Sequence, residues 1–139
     1  MGDDHGDLKG LAARESATPQ PMPIAGRGDC WAKVMGKWDQ YADDPAKDRV
    51  VAWMRARAEF GRKKYGVPLQ SHNGRNPLLD LLQELLDGRA YGEQCLDLDL
   101  SPRLAQTMAR LVRDIDGMLY ALAAELPKDI SEEASNAGV

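Results

Sequence analysis

Three times the chain places a capping side chain directly before a proline: Asp44-Pro45, Asn76-Pro77 and Ser101-Pro102. An Asp, Asn or Ser at the N-cap accepts an orphan backbone N–H of the first turn. Proline at the next position has no N–H to satisfy and a φ already set for a helix. The repeated device predicts helices near 45–65, 77–95 and 102–126. Gly66, with Pro68 behind it, stops the first, and Pro127 ends the third. "GKWDQY" around Trp38 is a candidate for a shorter fourth helix.

The third long segment has the clearest apolar stripe. Leu104, Met108, Leu111, Ile115, Leu119 and Leu122 recur at three and four, a spacing that suits a core face or an oligomer seam. No alternating strand pattern of useful length occurs. With only 6% aromatic residues and a single Phe, the core must be built from Leu, Val, Met and Ala, which favours helices. The expectation is an all-α helical bundle that assembles as a homo-oligomer. Residues 29–127 form one domain, with a mobile arm over 1–28 and a loose tail over 128–139. The arm contains "TPQPMPIAGRG", which cannot be helical.

Charge and cysteine use narrow the function classes. A net charge of −4 argues against nucleic acid as the main partner, although a local basic patch is compatible with it. Cys30 and Cys95 lie 65 residues apart without a CxxC, which disfavours thiolate metal sites and suits free thiols in a reducing compartment. No apolar run approaches the ~20 residues of a membrane span, and "MGDDHGDLKGLAARE" has no apolar signal region. A cytoplasmic protein is expected. The P-loop spacing, GxSxG and HExxH are all missing, and Cys30 has no nearby histidine.

What stands out is a row of acids on the second long helix. With Asp80 as zero, Glu84 lies at about 40° and Asp87 at about −20°, and Tyr91 falls between them at about 20°. Leu79, Leu82, Leu85 and Leu86 occupy roughly the opposite side, between about 140° and 260°. A solvated acidic face explains this much. Yet the face carries no basic residue at i+4, so the acids repel one another by a few tenths of a kcal/mol per pair, about 0.2–0.5. Carboxylates at this spacing also suit a hard cation such as Mg²⁺ or Mn²⁺. The preceding helix offers Glu59 among Arg55, Arg62 and Lys63. Glu59 is either an ion-pair partner of Arg55 or Lys63, or a further metal ligand beside cations that grip phosphate. On that helix Val50, Val51, Trp53, Met54, Ala58 and Phe60 are expected to line the apolar side.

These residues resemble a known family. Glu59-Phe60-Gly61-Arg62, then 21 residues, then Glu84-Leu85-Leu86-Asp87 is similar to the ExxE…ExxD signature of the MazG-like all-α nucleoside triphosphate pyrophosphohydrolases. "KYGVPLQSHNGRNPLLDLLQELLDGRAYGEQ" resembles its small phage-encoded branch, in which KYG, PLQ and NGR precede the acidic helix. The resemblance covers roughly residues 45–95. It implies hydrolysis of a (d)NTP to the monophosphate and pyrophosphate, by a helical dimer or tetramer using Mg²⁺ or Mn²⁺. A purine dNTP such as dGTP is the preferred substrate by likeness to the MazZ group within the family. Glu59, Glu84 and Asp87 match three of the four motif acids. Arg62 stands at the fourth, so either the cluster has one ligand fewer on that helix or Asp80, on the face of Glu84, replaces it, the latter being favoured.

By the same resemblance Glu59 or Glu84 activates the attacking water, while Lys63, Lys64 and Arg75 grip phosphate oxygens. Asn73-Gly74 is a turn signal just before a helix N-terminus, where anions are attracted, and a plain turn explains it equally. Trp38 and Tyr91 are candidates for stacking on the base, whereas Trp53 is expected in the core. His72 is a lone loop histidine. The rival readings are a non-enzymatic helical oligomer acting as a phage adaptor or regulatory protein, and a dUTPase-like or broad-range dNTP hydrolase.

Overall fold

The computed structural model describes residues 20–128. They form four helices, α1 (Cys30–Trp38), α2 (Pro45–Tyr65), α3 (Pro77–Leu96) and α4 (Pro102–Glu125). The shorter helix lies earlier than the GKWDQY stretch suggested: it starts at the Asp29 cap and ends at Trp38, leaving residues 39–41 in a turn and bend. Among the described residues the sole β pairing is an isolated antiparallel bridge between Arg27 and Ser71. The described chain is all-α.

Each expected cap is present. Asp44 Oδ1 accepts from the N–H groups of Ala46 and Lys47 at 2.6 and 3.0 Å. Asn76 Oδ1 accepts from those of Leu78 and Leu79 at 3.1 and 3.2 Å. Ser101 Oγ accepts from that of Leu104 at 3.3 Å. Asp29 caps α1 in the same way, accepting from Ala32 N–H at 3.1 Å. Each cap is worth about 1 kcal/mol. The stops follow local chemistry as well. Gly66 adopts φ 78° and donates to the Arg62 carbonyl, a left-handed turn that costs glycine nothing. Leu126, forced out of the helical region by Pro127, is extended at φ −75°, ψ 142°.

The chain divides into two compact units between Arg75 and Asn76. In the first, α1 packs on α2, and a strap precedes them. The Ile24 N–H donates to the Asn73 carbonyl at 3.0 Å, Arg27 and Ser71 exchange bonds of 2.7 and 3.2 Å, and the Cys30 N–H donates to the Leu69 carbonyl at 2.8 Å. The Gly26 N–H donates to Gln70 Oε1 at 3.0 Å. Of the arm expected over 1–28, residues 1–19 lie outside the described residues, as do 129–139 of the tail. Residues 24–28 are instead tied to the loop before α3. No helix forms over residues 20–28, and the N–H groups of Ile24, Gly26 and Arg27 pair with the loop instead.

α2 also differs from expectation in its apolar side. Val51, Met54 and Ala58 are half-buried, while Trp53 and Phe60 are 58% and 54% exposed. They sit on another arc of the helix: Trp53 is about 100° from Met54, and Phe60 about 160° from Ala58.

In the second unit α3 packs on α4. A Cβ at Gly92 would lie 2.7 Å from Val112 Cγ2, and one at Gly88 would lie 3.9 Å from Ile115 Cδ1. Val112, 6% exposed, is the one buried apolar side chain among the described residues. The Arg89 guanidinium donates to Glu93 at 2.9 Å and to Asp116 at 2.7 Å. Those bonds, Glu93 first, raise its pKa and keep it charged.

The Gly92–Val112 approach makes a checkable coupling. Gly92→Ala gains about 1 kcal/mol of helix propensity but overpacks the contact at a cost of roughly 1–3 kcal/mol, so urea unfolding should show a net loss. In a Val112→Ala background, where the Cγ atoms are gone, the same change should be neutral or stabilising. Simple additivity of the two substitutions would refute the contact.

Candidate functional site

The acidic row is a feature of the second unit. The Arg89–Asp116 bond marks one side of the α3–α4 hairpin. Counted from Arg89, Asp80, Glu84 and Asp87 lie about 140–180° away around α3. The row therefore occupies the side of α3 turned away from that bond. Glu84 and Asp87 are exposed, Asp80 is half-buried in the first turn, and Tyr91 is 65% exposed. A carboxylate at position 80 also meets the positive end of the helix dipole. Among the described residues no three His, Cys, Asp or Glu side chains form a metal-holding group. The acids are spread along one face, and their donor chemistry is oxygen only, as Mg²⁺ and Mn²⁺ prefer.

Glu59 belongs to the first unit. It is exposed and lies 3.9 Å from Lys63 Nζ, one turn further along α2. This is the ion pair that spacing allowed, and for exposed partners it is worth well under about 1 kcal/mol. Arg62 lies 3.7 Å from Asp29 Oδ2. Asp29 is the cap of α1, so this ion pair links α2 to the start of α1.

The loop before α3 is more constrained than a turn signal alone conveys. Asn73 is 8% exposed and its Oδ1 accepts the Arg75 N–H at 3.2 Å, an Asx turn. His72 and Gly74 take φ of 57° and 81°. His72 is exposed. Arg75 Nη1 donates to the Pro21 carbonyl at 2.8 Å, so this candidate phosphate grip also holds the strap. Lys63 is exposed, and the Lys64 ammonium lies 5.2 Å from the Tyr65 ring centroid. Trp38 is half-buried and packs edge-on against Tyr41 at 5.2 Å, which leaves it less open for stacking than Trp53.

Sequence reasoning missed two features here. One is the strap, whose signal was proline at 19, 21 and 23 followed by Gly26. The other is the exposed aromatic arc of α2, because residue type alone favours Trp and Phe in the core. No protein-family model, curated protein or solved structure matches this chain. No helix among the described residues is long and apolar enough to cross a membrane.

Proposed function

We propose that the chain is a metal-dependent nucleoside triphosphate pyrophosphohydrolase, taking a purine dNTP such as dGTP to the monophosphate and pyrophosphate. The observation that carries this reading is the exposed pair Glu84 and Asp87, with Asp80 beside them, on one face of the helix that follows the Asn73–Arg75 turn. The order KYG, PLQ, NGR, ExxD through this stretch, resembling the MazG-like enzymes, supports it.

Glu84, Asp87 and Asp80 of the second unit are the residues that would hold Mg²⁺ or Mn²⁺, which would supply neutralisation of phosphate charge and a more acidic bound water; Glu59 is the further ligand that the resemblance implies. Lys63, Lys64 and Arg75 pair with non-bridging oxygens and with the leaving pyrophosphate. Glu84 or Glu59 accepts a proton from the water that attacks phosphorus. The assembly is a homo-oligomer, supported by Leu104, Leu111 and Met118, which recur every seven residues on α4 and are exposed.

One assay tests the reading. Each dNTP is incubated with the protein and Mg²⁺ or Mn²⁺, and the products are resolved. Monophosphate with pyrophosphate, formed fastest from dGTP, is the expected result, and the same preparation should sediment at a multiple of 15.3 kDa. Orthophosphate release or no turnover with any nucleotide would sink the pyrophosphohydrolase reading. A wholly monomeric preparation would remove the oligomer. The non-enzymatic oligomer would show the mass without the products.

A further inference from the structure

Within an acidic chain, α2 is strongly basic. It carries seven Lys or Arg against Asp48 and Glu59, a net charge of +5 in a protein whose total is −4. Three of these cations lie over aromatic rings. Arg49 is 5.1 Å from the Trp53 centroid, Arg57 is 5.0 Å from that of Phe60, and Lys64 is 5.2 Å from that of Tyr65. All three fall on one 21-residue helix, each within the ~6 Å at which a cation is drawn to a ring face.

The rings are not core. Trp53 and Phe60 stay more than half exposed even with a guanidinium over each. Seven residues apart, they lie within about 20° of one another around α2 and roughly 10 Å apart along it. Met54 and Ala58, half-buried, lie on a different arc. Exposed aromatic planes interleaved with guanidinium groups suit a flat conjugated ring carrying negative charge, because the ring stacks while the charge is neutralised. Lys63 and Lys64 follow within about one turn of Phe60, so cations for phosphate continue from the same surface.

We infer that Trp53, Arg57 and Phe60 form a base-stacking surface for a nucleotide whose phosphates lie on Lys63 and Lys64. This rests on the nucleotide reading above and adds to it the residues that receive the base. The ligand chemistry is a nucleobase joined to phosphates, and the free triphosphate is the source to which the inference commits. The alternative source is a single strand of nucleic acid.

The test is calorimetric titration of the full-length chain, with Glu84→Gln present to suppress turnover, in Mg²⁺. The probes are dGTP, inorganic triphosphate, dTTP and an oligothymidylate. Trp53→Ala and Phe60→Ala should each weaken dGTP binding about tenfold, leave inorganic triphosphate binding unchanged, and leave the circular dichroism of the chain unchanged. Trp53→Phe should restore most of the dGTP affinity, which a merely helix-stabilising role for the indole would not require. Unchanged dGTP affinity in both alanine variants overturns the inference, as does an equal loss of dGTP and inorganic triphosphate. Oligothymidylate bound more tightly than dTTP, and lost in Trp53→Ala, assigns the surface to a strand and overturns it too. If the native chain binds dGTP through these rings but turns nothing over, the stacking surface stands and the hydrolase reading falls. If it binds no nucleotide, both fall.

Discussion

Glu84→Gln and Asp87→Asn should each lower dNTP turnover at least about a hundredfold, the scale expected for removing a positioned base or an anionic ligand, while helix content and melting temperature hold. The asymmetry follows from where these side chains sit. α3 is held by the Asn76 cap, by the close approach of Gly92 to Val112, and by the Arg89 bonds to Glu93 and Asp116. None of these involves residues 84 or 87. Neutralising either acid also relieves like-charge repulsion within the row, worth about 0.2–0.5 kcal/mol per pair, so stability should stay level or rise slightly.

Asp116→Asn is the matching control. It weakens the tie to Arg89 on the other side of the hairpin and should leave turnover near the native level. Asp80→Asn tests whether Asp80 belongs to the proposed metal site, since Arg62 is engaged with Asp29. A drop in Mn²⁺ affinity for Asp80→Asn assigns Asp80 to the metal, and unchanged affinity removes it. Full activity in both Glu84→Gln and Asp87→Asn would show that the row is a solvated face.

The largest effect on stability is expected at Gly26. A Cβ there would lie 3.0 Å from the carbonyl carbon and oxygen of His72 and far inside contact distance of the Ser71 carbonyl oxygen. These are backbone atoms, which cannot swing aside as a side chain end would. Gly26→Ala must therefore push the strap off the loop. The Arg27–Ser71 pair and the Gly26–Gln70 bond go with it. At about 1 kcal/mol for each net hydrogen bond, the loss should reach roughly 2–3 kcal/mol. Hydrogen exchange at Ser71 and Arg27 should accelerate accordingly, while amides in the middle of α3 and α4 keep their protection. Because Arg75 is tied to the Pro21 carbonyl, turnover should fall as well. Native exchange rates at Ser71 in Gly26→Ala would show that the strap tolerates the methyl group.

Where the helices begin was readable because capping is a local event. Asp44, Asn76 and Ser101 each meet N–H groups two or three residues away, so the interaction is complete within the segment that encodes it. The acidic row was readable for the same reason, since helical spacing alone places Asp80, Glu84 and Asp87 on one face. The strap was not. Its bonds join residues 24–30 to 69–73, and proline and glycine in the first stretch specify only that it is not helical. Nor was the exposure of Trp53 and Phe60, because residue type states a preference for burial without naming a neighbour that provides it.

The α4 stripe shows the division most plainly. Its period of three and four determined that Leu104, Met108, Leu111, Ile115, Leu119 and Leu122 share a helix face. Only the packing of α3 decided which part of that face is core. Gly88 and Gly92 admit Ile115 and Val112 closely, while Leu104, Leu111 and Met118 at the other edge are exposed. Periodicity is a property of one helix, whereas burial depends on what another helix brings to it. Sequence alone therefore determined the three long helices, where they begin and the acidic face; tertiary structure decided the strap, the core edge of α4 and the open aromatic surface of α2.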